Sequence, residues 1–227
     1  MTFNEFNLKD LLQKAIDEAG FKEPSPIQEQ AIPFVLAGRD IVGQAHTGTG
    51  KTAAFGLPIL NNMKGNSGVE AVVIVPTREL AMQVSDELYR FGKFLGVNTA
   101  TVYGGQAYAR QIKLIENAGI IVATPGRFLD LLRGGKIDIK PEYVILDEAD
   151  EMLDMGFLDD IKEIFTFLPE ERQTLLFSAT MPVAIKNLAK TILKDPEFIT
   201  LTKKDVTNSK ITQTFYVVDE RERDDAL

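Results

Sequence analysis

An α/β fold, a mainly parallel β-sheet flanked by helices on both faces, is predicted by three features of the sequence. Short apolar runs alternate with stretches of helical periodicity, the runs lack polar alternation, and a polar or glycine-bearing segment follows each of them. Strands without polar alternation are covered on both faces, and strand–helix–strand repetition makes neighbouring strands parallel. Sites in such a sheet lie beyond the carboxyl ends of the strands. The polar segments are therefore predicted to share one rim.

Residues 3–19 carry Leu8, Leu11, Leu12, Ala15, Ile16 and Ala19 at helical spacing and read as a helix behind a short lead, ended by Gly20. Pro24 and Pro26 with Ser25 between them make a stiff turn, after which Gln28 to Leu36 is a second helix closed by Gly38. Strands are predicted at 40–44, 71–75, 98–103, 119–123, 143–147, 173–178 and 197–201, and helices at 51–62, 78–95, 107–116, 126–133, 157–167 and 182–193. Residues 65–68 and 133–136 are loops. The helical segment 1–38 and the core 39–204 are expected to form one domain. Residues 202–210 then read as a polar linker and Ile211–Val218 as a strand, either opening a truncated second domain (205–227) or finishing this sheet at its edge.

With 227 residues, 44% hydrophobic and 26% charged, the chain suits one globular domain able to bury a two-sided sheet. Cysteine is absent, which excludes disulfides, thiolate metal sites and a Cys nucleophile; the single histidine, His46, leaves no His-based metal cluster. No apolar run is long enough to span a membrane and Met1–Glu5 does not open a signal peptide, so a soluble, cytoplasmic protein with no membrane partner is expected. A net charge of −8 argues against coating nucleic acid through bulk positive charge, but not against local contacts by backbone amides and a few arginines.

The chemistry begins at Ala45-His46-Thr47-Gly48-Thr49-Gly50-Lys51-Thr52, between an apolar strand and a helix. Gly48 and Gly50 let backbone N–H groups converge on one point, Lys51 adds a positive charge for outer phosphates, and Thr52 offers a hydroxyl suited to Mg²⁺. A plain glycine-rich helix start fits the same residues, since the strict pattern begins with Gly where this chain has Ala45. The second component is Asp147-Glu148 at the end of a buried run: Asp147 is placed to hold Mg²⁺, and Glu148 to orient or deprotonate a water attacking a γ-phosphate. Two acids also suit a helix N-terminus through its dipole.

Asp147-Glu148-Ala149-Asp150 spells DEAD, and the chain resembles, over nearly all of residues 3–204, the first RecA-like P-loop domain of DEAD-box ATP-dependent RNA helicases. The resemblance implies that Gln28, in a segment like the family's Q motif, reads adenine, that Phe21 stacks on the base, and that Phe3 supports the pocket; ordinary core packing is the competing fate of both rings. Residues 45–52 match motif I, where Ala commonly comes first and His46 falls at a variable place. Pro76-Thr77-Arg78 resembles motif Ia, Gly104-Gly105 the GG element, and Thr124-Pro125-Gly126-Arg127 motif Ib. Together they offer helix N-termini, free N–H groups and two guanidiniums to the phosphates of a single strand, or merely helix starts with arginines paired to carboxylates. Ser178-Ala179-Thr180 resembles motif III, which with the DEAD carboxylates, Asp150 among them, couples hydrolysis to strand separation; the same residues suit an N-cap for the next helix.

The resemblance implies the ATP-binding half of an RNA helicase whose parent couples RNA-stimulated hydrolysis to local duplex unwinding, with ATP or ADP and Mg²⁺ as cofactors. Its partners are single-stranded or duplex RNA, bound weakly by this piece, and a second RecA-like domain of the same parent that carries arginine fingers. By itself the piece is expected to bind nucleotide weakly, hydrolyse it very slowly and not unwind RNA. A DNA-directed ATPase on the same fold and a non-catalytic, nucleotide-switched RNA clamp are the alternatives.

Overall fold

The computed structural model describes residues 1–65 and 68–201. Its strands are β1 (Ile41–Gln44), β2 (Ala71–Ile74), β3 (Thr99–Val102), β4 (Ile120–Ala123), β5 (Tyr143–Leu146), β6 (Gln173–Ser178) and β7 (Glu197–Thr200). They form one sheet in the order β3-β4-β2-β5-β6-β1-β7 with every pairing parallel. The helices are α1 (Asp10–Glu18), α2 (Pro26–Leu36), α3 (Lys51–Asn62), α4 (Arg78–Gly92), α5 (Tyr108–Ile115), α6 (Pro125–Arg133), α7 (Ala149–Asp154), α8 (Leu158–Phe167) and α9 (Val183–Ile192).

Strand side chains alternate between two apolar layers, as a period of two requires. Ile41, Val73, Ile145, Leu175 and Phe177 face the layer of α1 to α4, with Leu12, Ile32, Phe55 and Leu88. Val42, Val72, Ile74, Val144 and Leu146 face the layer of α5 to α9, with Ile115, Phe128, Met152, Ile161 and Leu188. Gly43 in β1 is a packing glycine: a Cβ there would lie 2.6 Å from Cδ1 of Phe177, whose ring packs 5.6 Å from that of Phe55. At the opposite pole from the rim, buried Asp40 accepts from Thr174 N at 2.8 Å and Lys194 N at 2.7 Å, pinning the starts of the strands beside β1.

Several expectations are corrected. The first helix starts only at Asp10; Phe3–Phe6 is a separate 3-10 turn, cut off by Asn7 in a left-handed conformation at φ +53°. The helix from Arg78 ends at Gly92 and tightens into a 3-10 turn over Lys93–Leu95. α7 was not foreseen, because six residues between acidic neighbours are too few to show a period. Two-sided cover holds for the inner strands but not at the edges, where Thr99 and Thr101 of β3 are half-buried and Phe198 of β7 is exposed. The linker and strand expected at 202–218, and the division at 204/205, lie outside the described residues. Among the described residues, no helix is long and apolar enough to cross a membrane.

Candidate functional site

After Gln44 the chain turns through residues 45–50 into α3, and neighbouring segments brace that turn. Ala45 N donates to Ser178 O at 3.0 Å, and Thr49 Oγ1 to His46 O at 2.8 Å. Gly48 and Gly50 have φ of +80° and +87°. At Gly50 a side chain is excluded twice, by that backbone geometry and because its Cβ would collide with Gln28 Nε2. Ser25 Oγ donates to Thr49 O at 2.8 Å and Gln28 Nε2 to Gly50 O at 3.0 Å, while Gln28 Oε1 accepts from Ser25 N at 2.8 Å. Gln28 is thus a buried strut between α2 and the turn, and its amide keeps one N–H and one lone pair for another partner. His46 and Thr47 are exposed at the outer bend.

Lys51, first residue of α3 and 5% exposed, brings its ammonium to the end of β5. Nζ lies 2.7 Å from Glu148 Oε1 and 3.3 Å from Asp147 Oδ1. Both contacts are ion pairs, and they hold the buried ammonium between the two acids. Burial pushes the Asp147 carboxyl up to about 6; the Lys51 charge pulls it down and the Glu148 charge pushes it up again.

Glu148 has φ +56°, a left-handed backbone that costs a residue with a Cβ about 1–2 kcal/mol. Its carbonyl accepts from Met152 N at 3.1 Å, starting α7, while its side chain meets Lys51 and accepts from Thr47 Oγ1 at 2.9 Å. Two residues on, Asp150 accepts from Thr180 Oγ1 at 2.8 Å, Thr180 N at 2.9 Å and Ala179 N at 3.3 Å, and its own N–H donates to Ser178 Oγ at 3.1 Å. Burial raises the Asp150 carboxyl, but the bonds from Thr180 and Ser178 outweigh it and hold it below the usual range. The segment after β6 is thereby tied to α7, and the N-cap position of α9 falls to Pro182.

Phe3 is a core residue, 2% exposed, whose ring meets Phe21 edge-on at 6.1 Å. Phe21 is half-buried, packs against Phe91 at 5.9 Å, and borders a cavity of about 370 Å³ lined also by Thr2, Gln13 and Lys22. Thr52 is half-buried and faces Glu87 of α4; burial raises the Glu87 carboxyl and the Thr52 hydroxyl works against that rise. Among the described residues, no three acids or histidines cluster to hold a metal by themselves. The buried Asp147 carboxylate at the end of β5 is a sparse donor set. It fits Mg²⁺, which keeps several waters and is bound through one or two carboxylates together with phosphates.

The remaining segments follow β2, β4 and β3, which are adjacent, and so form one strip of the rim. Thr77 Oγ1 accepts from Leu80 N at 3.2 Å and caps α4 behind buried Pro76. Exposed Arg78 lies over the turn after β3, where a Cβ on Gly105 would sit 3.3 Å from its Nη1 and one on Gly104 3.7 Å from Nη2. Thr124 and Pro125 open α6, with Gly126 in its first turn. Arg127 does not stand free: Nη1 donates to Gln106 O at 2.7 Å and Gln111 Oε1 at 3.0 Å, and the guanidinium stacks 4.3 Å from the Tyr108 ring. It pins the turn after β3 and pairs with no carboxylate among the described residues.

Sequence reasoning missed Ser25, Glu87, Gln106, Gln111 and Tyr108. Each acts through a contact between elements distant in sequence, and periodicity carries no sign of it. Only Ser25 left a local trace, as the residue before a proline-initiated helix.

A family model for the DEAD/DEAH box helicase matches residues 25–188. The DEAD-box ATP-dependent RNA helicase RhpA of Helicobacter pylori is 56% identical over all of this chain, which covers 46% of that protein. CshA of Bacillus subtilis, a protein of the same description, is 48% identical with 47% of its length covered. The crystal structure of a DEAD box protein from the hyperthermophile Methanococcus jannaschii superimposes with a TM-score of 0.87 at 44% identity, covering 100% of this chain and 62% of that one. The chain thus spans about half the length of the curated relatives it matches, and its fold is the RecA-like α/β domain of those proteins. The chain belongs to the DEAD/DEAH box helicase family.

Proposed function

We propose that this chain is the ATP-binding half of an ATP-dependent RNA helicase, and that the parent protein converts ATP and water to ADP and phosphate while separating short RNA duplexes. One observation carries the reading: a buried ammonium held between two carboxylates at the mouth of a glycine turn. Such a group exchanges acid partners for phosphate oxygens without a new desolvation cost.

In this reading the N–H groups of residues 45–51 cradle the phosphates and Lys51 turns to the outer ones. Gln28 meets the adenine edge, Phe21 stacks on the base and Phe3 backs it. Asp147, through water, and Thr52 would hold Mg²⁺, which when bound neutralises charge on the outer phosphates. Glu148 accepts a hydrogen bond from the attacking water and takes its proton. Asp150 with Ser178, Ala179 and Thr180 carries the state of the acids to the end of β6. RNA phosphates run along Pro76, Thr77, Arg78, Gly104, Gly105, Thr124, Pro125, Gly126 and Arg127, contacted by helix N-termini and backbone rather than by bulk charge.

A second RecA-like half, beginning with 205–227 behind the single unit 1–204, supplies the arginine that stabilises charge developing in transfer, worth roughly 10³–10⁵ in rate. Without it this half binds RNA and nucleotide weakly and turns over very slowly. A cytoplasmic location completes the proposal. The test is ATP turnover of the intact protein with and without single-stranded RNA, with single-stranded DNA as control. RNA-stimulated turnover that Glu148→Gln abolishes is expected; turnover unaffected by that change would end the hydrolytic assignment.

A further inference from the structure

Glu148 makes both of its close contacts through one oxygen. Oε1 accepts from Thr47 Oγ1 at 2.9 Å and lies 2.7 Å from Lys51 Nζ. In the first contact the threonine donates, so its hydroxyl proton is committed to this bond. The contact joins segments 101 positions apart, the outer bend of the glycine turn and the end of β5. It meets the side chain of a residue held in a left-handed backbone conformation at φ +56°.

We propose that Thr47 is a positioning residue: its hydroxyl holds Oε1 of Glu148 and leaves Oε2 as the oxygen that faces the attacking water. The inference rests on the hydrolytic reading of Glu148 and adds to it the group that orients the base. When Lys51 moves to phosphate, Glu148 loses its nearest cation, and the Thr47 bond is the one contact of the pair that needs no charge to persist. Without it the carboxylate rotates about its last torsion, which is broad and roughly two-fold, and both oxygens sample the water site. Thr47 is exposed, so its replacement leaves the buried core untouched.

The experiment uses the intact protein and compares Thr47→Val, Thr47→Ser and Glu148→Gln, alone and combined. Thr47→Val is expected to lower kcat by roughly 10–100-fold, the scale of a misplaced catalytic group, with KM for ATP and the affinity for a fluorescent ADP analogue unchanged. Thr47→Ser restores the rate because the hydroxyl returns. Against Glu148→Gln, Thr47→Val adds nothing further, as two parts of one device should. The proposal is overturned if Thr47→Val weakens ADP binding by the factor it takes from kcat/KM, which makes the Thr47 hydroxyl itself a phosphate ligand, or if it leaves kcat intact. Failure of the underlying reading looks different: Glu148→Gln itself then turns over normally.

Discussion

At the end of β5, where two acids share one ammonium, burial first and the Glu148 charge second make Asp147 hold its proton up to about 6. The sign follows from linkage. A carboxyl whose folded pKa is raised stabilises the fold below its ordinary value near 3.8, and that contribution is lost as pH rises through about 6. Asp147→Asn is therefore expected to stabilise the nucleotide-free chain at pH 8 and to flatten its stability between pH 4 and 6, measured by urea unfolding across that range. Lys51→Ala should act in the opposite direction. Breaking a buried ion pair costs roughly 3–5 kcal/mol, reduced here to the extent that Asp147 takes a proton. The residues of this cluster were legible in the sequence because each stands beside a strand end. That they share one rim was legible from the parallel sheet, and the use of a single Glu148 oxygen was not legible at all.

At the level of elements, the legible parts had strong local signals. α3 begins and ends where the sequence placed it, after a glycine that no other residue can replace. Gly50→Ala forces a Cβ into Gln28 and into a left-handed φ. It is expected to cost about 1–3 kcal/mol in thermal unfolding and to weaken nucleotide binding at the same time. α7 was illegible for the converse reason. It is six residues long and depends on the tertiary bonds that Asp150 makes to Ala179, Thr180 and Ser178. Asp150→Ala removes these acceptors and leaves the donors after β6 unpaired. It should speed amide exchange over 149–154 selectively, at about 1–3 kcal/mol of local stability, with β5 still protected. Uniform loss of protection along both elements would show that α7 is held by packing alone. Arg127 gives a similar lesson, since its sequence neighbours promise an open guanidinium and the fold spends it on Gln106, Gln111 and Tyr108.

For the whole molecule, alternating apolar runs foretold a covered parallel sheet, and Leu175 and Leu176, buried on opposite faces of β6, show why: inner strands have no solvent face to mark with polar residues. The order of strands was not foretold, because parallel neighbours are chosen by helix packing over the whole chain rather than by any single run. Net charge of −8 limits the phosphate track to a few groups. RNA affinity of the proposed strip should therefore fall with salt with a shallow log–log slope of about −1 to −3, as few phosphates are neutralised. A steep slope would instead point to a basic surface elsewhere.

The strand order has a consequence for synthesis on the ribosome. β1 is the first strand made, yet both its partners, β6 and β7, are the last among the described residues, with Ile41 registered against Leu175 and Glu197. Until those late segments emerge, Asp40 has no amides to clamp and Phe177 is not yet there to cover Gly43. A nascent chain stalled before residue 173 should thus remain vulnerable to protease at its amino-terminal third, and release from stalling should restore resistance in one concerted step.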